Sequence, residues 1–195
     1  MRRKYMTGSA LILSLALAAS AAAQERSGDM SMEQGTTMVG GQVMFRTRDI
    51  VDNAVNSADH TTLVTAVKAA GLVETLKGQG PFTVFAPTNA AFGLLPEGTV
   101  STLLRPENKG QLTKVLTYHV VAGRYDASAL MKAIKQGHGR ATLTTVQGEP
   151  LTFSMNGERN IVVRDTKGDV ADISTYDVVQ SNGVIHVVDK VLLPS

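Results

Sequence analysis

The sequence predicts an α+β domain in which helices come first and most strands follow. In four segments between residues 49 and 136, apolar residues recur every three or four positions, the spacing of a helix with one buried face. After Gly139 the pattern changes to short β-branched segments separated by turns. Elements segregated in this way favour an α+β architecture over the alternating units of an α/β fold.

Local capping signals support the helices of the first half. Asp59 or Thr61 can cap the second helix and Gly71 can end it, while Asp126 can cap the fourth. The predicted helices cover residues 49–58, 61–70, 106–119 and 127–136.

One strand interrupts the helical half. Residues 82–86 (FTVFA) form an aromatic and β-branched run after Gly80-Pro81, which is typical of a buried strand. Thr88 can then act as the N-cap of a short helix that ends at Phe92.

The second half reads as a series of antiparallel strands. Asn156-Gly157 and Asn182-Gly183 are strong hairpin signals, because both residue types tolerate positive φ. Both faces of the last strand are apolar, so we expect it to be central and its His186 to be buried. The predicted strands cover residues 142–146, 151–155, 161–164, 170–174, 177–180 and 184–188.

The N-terminal segment has the pattern of a secretory signal peptide over residues 1–23. Three basic residues at positions 2–4 precede an apolar run over residues 10–19, and Ala21-Ala22-Ala23 supplies small residues for cleavage. The sequence therefore predicts a secreted or periplasmic protein with no membrane span after cleavage. Residues 24–45 are Met- and Gly-rich without apolar periodicity, which indicates a flexible leader before a domain over residues 46–195.

Charge and cysteine content exclude several classes of protein. Removal of residues 1–23 takes three of the 19 basic residues and no acidic one, leaving 16 against 17 and a net charge of −1. Such a chain lacks the basic surface of a nucleic-acid-binding protein. The absence of cysteine excludes disulfides, thiolate metal sites and a cysteine nucleophile.

Three segments together resemble the fasciclin (FAS1) family. Residues 82–92 (FTVFAPTNAAF) are similar to its first signature block, residues 116–121 (LTYHVV) to its central Tyr-His motif, and residues 181–194 (SNGVIHVVDKVLLP) to its closing block. Their order and spacing also agree with the family. The chain departs at Asn89, where the family commonly has Asp, and it most resembles the secreted single-domain bacterial members.

The resemblance implies both a fold and a function. The implied fold is a wedge of two β-sheets with helices packed around it. The implied function is a non-catalytic interaction module without a cofactor, which mediates adhesion through protein or glycan contacts at a cell surface or matrix. The oligomeric state is left open.

The Tyr118-His119 motif has two interpretations. In animal members of the family this motif and its apolar flanks are implicated in receptor binding, which makes Tyr118 and His119 candidate partner-binding residues. His119 also continues the apolar stripe of its helix, which favours a buried structural role. The residues predicted to be structural are Thr83, Phe85, Pro87, Thr88, His119, Asn182, Gly183 and His186.

Metal binding and catalysis have weaker support. His60 and His138 fall in predicted loops, and no His-x-His or His-Glu-x-x-His spacing occurs, so no histidine metal site is predicted. No Gly-x-Ser-x-Gly elbow is present either, and we expect no enzyme activity. The alternative function is a copper or small-ligand carrier, in which thioethers of the leader bind Cu(I): Met30, Met32 and Met38.

Overall fold

The computed structural model describes residues 37–195, and the strands of this range form a two-stranded hairpin and a seven-stranded sheet. The sheet has the order β4-β3-β9-β8-β7-β6-β5, and its neighbours are antiparallel except for the parallel pair of β3 and β9. The strands are β1 (Thr37–Val39), β2 (Gln42–Met44), β3 (Phe82–Pro87), β4 (Val120–Ala122), β5 (Arg140–Thr144), β6 (Pro150–Asn156), β7 (Asn160–Arg164), β8 (Val170–Gln180) and β9 (Gly183–Val188).

The helices lie mainly in the first half of the chain, so the predicted α+β class is confirmed. None of those in residues 37–195 is long and apolar enough to cross a bilayer. They are α1 (Ile50–Ala54), α2 (Thr61–Ala70), α3 (Val73–Lys77), α4 (Asn89–Gly93), α5 (Thr99–Leu103), α6 (Lys109–Tyr118) and α7 (Ala127–Gln136), with short 3₁₀ helices at Ala58–His60 and Pro106–Asn108.

The large sheet curls until its two ends meet. Val121 of β4 forms an antiparallel bridge with Thr145, directly after β5. The N–H of Val146 donates to the Val120 carbonyl at 2.7 Å. This contact joins the edge strands, so that one face of the sheet encloses a core.

Two apolar cores result. The sheet core lies against β5–β9 and α7 and contains Phe85, Tyr118, Val121, Leu130, Ile134, Ala141, Leu151, Phe153, Ile161, Val163, Ala171, Ile173, Val188 and Leu192. The helix core is formed by α1–α6 with parts of β2, β3, β4, β8 and β9, and contains Met44, Ile50, Val51, Leu63, Ala66, Val67, Ala70, Leu76, Val84, Ala86, Ala91, Phe92, Leu103, Leu112, Val115, Leu116, Val120, Val178, Ile185 and Val191.

The predicted flexible leader is wrong for its last residues. Residues 24–36 lie outside the described part of the chain, but β1 and β2 form a hairpin that turns at Gly40-Gly41, both with positive φ. Met44 is only 3% exposed and belongs to the helix core. The pattern was missed because strands of three residues are too short to show alternation, and Met44 is the only one of their six side chains that is buried.

Three other expectations need correction. The predicted strands 170–174 and 177–180 are one strand, β8, which bends through register shifts near Asp177, a residue with φ of 55°. The first helix ends at Ala54 instead of continuing to residue 58. Short elements such as α3 were not predicted, because five residues carry too little periodicity.

The cap of α2 comes from a distant residue instead of Asp59 or Thr61. Oδ1 of Asn89 accepts from the Thr62 N–H at 3.0 Å and from the Thr61 hydroxyl at 3.2 Å. Its amide nitrogen donates to the Ala58 carbonyl at 2.9 Å. An aspartate could make the first two bonds but not the third, which gives Asn89 a specific use in this chain.

Candidate functional site

The Tyr118 hydroxyl joins three elements of the sheet core. It donates to the Pro150 carbonyl at 2.9 Å and accepts from the Thr166 N–H at 3.0 Å. The residue is 0% exposed, and burial is the main cause that raises the pKa of its hydroxyl. Both roles of the hydroxyl are therefore used inside the domain.

His119 follows the last residue of α6 and connects that helix to the C-terminal segment. Its Nε2 accepts from the Leu192 N–H at 2.9 Å, so the proton is on Nδ1, which donates to the Val115 carbonyl at 2.8 Å. The side chain is buried, and burial lowers its pKa to about 4 against the weaker opposing effects of the Val115 carbonyl and Asp165. A neutral imidazole is required because Nε2 is an acceptor.

His186 plays the corresponding role in the central strand β9, where every residue is buried. Its Nε2 donates to the Tyr125 carbonyl at 2.8 Å, while Nδ1 accepts weakly from the Asp177 N–H at 3.4 Å. The ring stacks on Phe85 with the ring centroids 5.6 Å apart. The centroids of the Phe85 and Phe153 rings are in turn 5.2 Å apart. Burial is the main cause of its lowered pKa.

The first signature block, residues 82–92, also makes its hydrogen bonds inside the domain. The Thr83 hydroxyl donates to the Gly123 carbonyl at 2.7 Å and accepts from the Tyr125 N–H at 2.9 Å. Pro87 ends β3 beside Val188, and Thr88 accepts from the Ala91 N–H at 3.2 Å as the N-cap of α4. The predicted cap of this short helix is therefore present.

Asn182 and Gly183 connect the closing block to the helices. Oδ1 of Asn182 accepts from the Ile50 N–H at 3.1 Å, and its amide donates to the Leu76 and Gly78 carbonyls. Gly183 does not adopt the positive φ that the hairpin signal predicted. Glycine is needed there because a Cβ would meet the Phe82 carbonyl.

Acidic side chains hold the C-terminal segment in place. The Leu193 N–H donates to Oδ2 of Asp165 at 3.0 Å. Oε2 of Glu149 accepts from both the N–H and the hydroxyl of Ser195, and these hydrogen bonds lower the Glu149 pKa to about 2. With His119, these residues attach the segment after β9 at three points.

The remaining candidate residues do not assemble into a metal site. In residues 37–195, no three His, Asp or Glu side chains come together as metal ligands. Met38 lies on β1 and is 65% exposed, whereas Met30 and Met32 lie outside the described residues. Copper binding by the leader therefore stays a prediction.

Sequence reasoning missed His60, which it placed in a loop. The residue lies in the 3₁₀ helix Ala58–His60 and is 3% exposed. Ser57 Oγ lies 2.8 Å from its Nδ1, and both side chains are buried in the helix core region. The Ser-x-x-His spacing was the available signal, but it does not by itself indicate burial.

Comparison with known proteins agrees with the motifs and the sheet. The fasciclin domain model matches residues 58–194. The chain belongs to the fasciclin domain family. It is 47% identical over 145 residues to protein sll1483 of Synechocystis sp., covering 74% of this chain and 73% of that protein. It is 35% identical over 146 residues to immunogenic protein MPB70 of Mycobacterium bovis, covering 72% of this chain and 66% of that protein.

Animal relatives and a solved structure extend this family assignment. Transforming growth factor-beta-induced protein ig-h3 of Sus scrofa is 37% identical over 137 residues, which are 68% of this chain and 17% of that protein. A FAS1 domain pair from the insect cell adhesion molecule Fasciclin I matches with a TM-score of 0.66 at 20% identity. That match covers 75% of this chain and about half, 51%, of the domain pair, and it supports the fold.

Within this FAS1 domain, the motif residues are bonded to the domain itself. Tyr118 and His119 are 0% and 2% exposed. Direct contact of either ring with a partner stays a prediction, and it would require local opening of the sheet core.

Proposed function

We propose that the chain is an exported, non-catalytic FAS1 module that adheres to a protein or glycan on a cell surface or matrix. Export is the expectation from the signal-peptide pattern of residues 1–23. Adhesion is supported by the family and by the solved structural relative, which comes from a cell adhesion molecule.

The hydrogen bonding of the motif residues supports binding through the outer surface of the domain. The polar atoms of Tyr118, His119 and His186 all bond to groups inside the domain. These side chains are therefore occupied as scaffold, which leaves the outer surface of the domain for binding.

The loop between α4 and α5 is the surface that we expect to make contact. Leu94 is 68% exposed there, the largest exposed fraction among the large apolar side chains of residues 37–195. Pro96 follows in the same loop and is also exposed. Exposed apolar side chains of this kind commonly mark interaction sites when they lie close together.

Binding of the fluorescently labelled mature protein to the cells that produce it tests this proposal. We expect saturable binding, and a several-fold loss of affinity for Leu94→Asp because the charge must be desolvated in the contact. Met131→Asp is the matched control, because Met131 is a 40% exposed residue of α7 outside the loop. Protease treatment of the cells removes a protein partner, and periodate treatment removes a glycan partner.

Two outcomes would contradict the proposal. Absence of saturable binding to cells or to their isolated matrix would remove the adhesive function. Equal binding by the Leu94→Asp and Met131→Asp variants and the unchanged protein would show that the α4–α5 loop makes no contact.

A further inference from the structure

An apolar cavity of about 80 Å³ lies in the helix core. Helices α1, α2 and α3 form one wall, and strands β3 and β9 form the other. Most of the lining side chains are aliphatic, including Met44, Leu63, Val67, Leu76, Val84 and Ile185. Apolar cavities of comparable kind stay dry and bind small hydrocarbons.

The cavity is open to the outside on one side. Two of its lining residues, Lys68 of α2 and Val146 after β5, are exposed. The lining of the cavity therefore reaches the protein surface at these two residues.

Among the polar residues of this lining, His60 is the one with a buried side-chain nitrogen that lacks a hydrogen-bond partner in the described part of the chain. The side chain is 3% exposed, and its Nε2 is buried with no hydrogen-bond partner in the described part of the chain. The Ala86 carbonyl lies near enough to the ring to raise the His60 pKa as a weak hydrogen-bond acceptor, but Nε2 makes no hydrogen bond of normal geometry among the described residues. Native proteins rarely leave such an atom unpaired, which suggests a missing partner.

The chemistry of the ring defines that partner. Burial lowers the pKa of His60, so the imidazole is neutral at pH 7 and favours a neutral ligand. Ser57 can either donate to Nδ1 or accept from it, so Nε2 can be a donor or an acceptor. A hydroxyl group pairs with either tautomer, whereas a carbonyl pairs with only one.

The geometry points to this cavity as a binding site for a small, neutral, mainly aliphatic molecule with one hydroxyl group that bonds to His60 Nε2. The volume is about half of the ~150 Å³ of a cavity that binds benzene, so the enclosed part holds a chain of roughly three or four carbons. The site is separate from the adhesive surface proposed above and does not depend on it.

Titration of the ¹⁵N-labelled protein with 1-butanol, followed by NMR, tests the site. We expect millimolar binding that shifts the amide resonances of residues lining the cavity and the ¹⁵N resonance of His60 Nε2. n-Pentane has the same number of heavy atoms but no hydroxyl, and we expect at least fivefold weaker binding for it. His60→Phe should remove this preference for the alcohol.

A pair of variants on α2 tests the location. Val67→Phe fills the cavity and should abolish the shifts, whereas Ala69→Phe adds the same side chain at an exposed position outside the lining and should preserve them. His60→Phe answers the same question if Val67→Phe does not fold. The proposal fails if 1-butanol up to 50 mM leaves the cavity resonances unchanged, if pentane binds equally well, or if the alcohol preference survives in His60→Phe.

Discussion

The sheet core and the helix core of this domain differ in how completely they are filled. Leu151 and Phe153 of the sheet core are 0% exposed, and the polar groups that Tyr118 and His186 bring to it all have partners. The helix core contains the cavity and the unpaired Nε2 of His60. The signature motifs contribute residues to both cores, but only the helix core keeps a cavity and a buried polar atom without a partner among the described residues.

Replacing one leucine of each core by alanine should show the difference in packing between the two cores most strongly. Leu151→Ala should lower the free energy of unfolding by about 4 kcal/mol, because the surrounding sheet cannot collapse into the space. Leu63→Ala, beside the existing cavity, should cost about 2–3 kcal/mol, since Leu63 already lacks contacts on one side. Urea denaturation measures both, and a larger loss for Leu63→Ala would reverse the comparison.

Replacing His119 and His60 by phenylalanine, one at a time, should show that a fully hydrogen-bonded ring contributes more to stability than one with an unpaired nitrogen. His119→Phe leaves the Val115 carbonyl and the Leu192 N–H unpaired and should lower stability by about 1–3 kcal/mol. His60→Phe gives up the Ser57 hydrogen bond and the weak Ala86 contact but also removes the unpaired Nε2, and it should change stability by less than about 1 kcal/mol. Similar losses in thermal denaturation would show that His60 is as well bonded as His119.

Stability should also fall as the pH is lowered from 7 to 5. The folded protein holds the His119 pKa near 4, whereas the ordinary pKa of histidine in the unfolded chain is 6.5, so the unfolded state binds more protons between these values. The stabilisation that comes from the lowered His119 pKa is therefore complete above about pH 6.5 and is lost progressively down to about pH 4. We expect a loss of about 2 kcal/mol from His119 between pH 7 and 5. A flat profile, or an equally steep one in His119→Phe, would contradict this assignment.

The smallest expected effect comes from enlarging one side chain in each core. Val67→Ile should stabilise the protein by about 0.5 kcal/mol, because the added methyl group enters the cavity. Val163→Ile adds the same group to the sheet core, where Val163 is 0% exposed, and should cost about 1 kcal/mol or more. A gain in melting temperature for both variants would show that the sheet core is also underpacked.

Sequence patterns located the elements that carry strong local signals. The cap at Asp126 and the apolar face over 127–136 predicted α7 with its observed bounds. The two apolar faces of residues 184–188 predicted a central strand, and β9 lies between β3 and β8.

The features that escaped prediction depend on distant contacts. The α2 cap comes from Asn89, and the need for Gly183 comes from the Phe82 carbonyl, neither of which is adjacent in sequence. The cavity and the burial of His60 likewise arise from how several short elements meet. Their periodicity is too weak to show which faces come together.

The attachment of residues 192–195 has a consequence for biosynthesis. The segment is bonded to side chains from three earlier parts of the chain, at positions 119, 149 and 165. These three contacts can therefore form only after residues 192–195 have emerged from the ribosome. In a chain still held on the ribosome before residue 192, the groups at positions 119, 149 and 165 are without these partners.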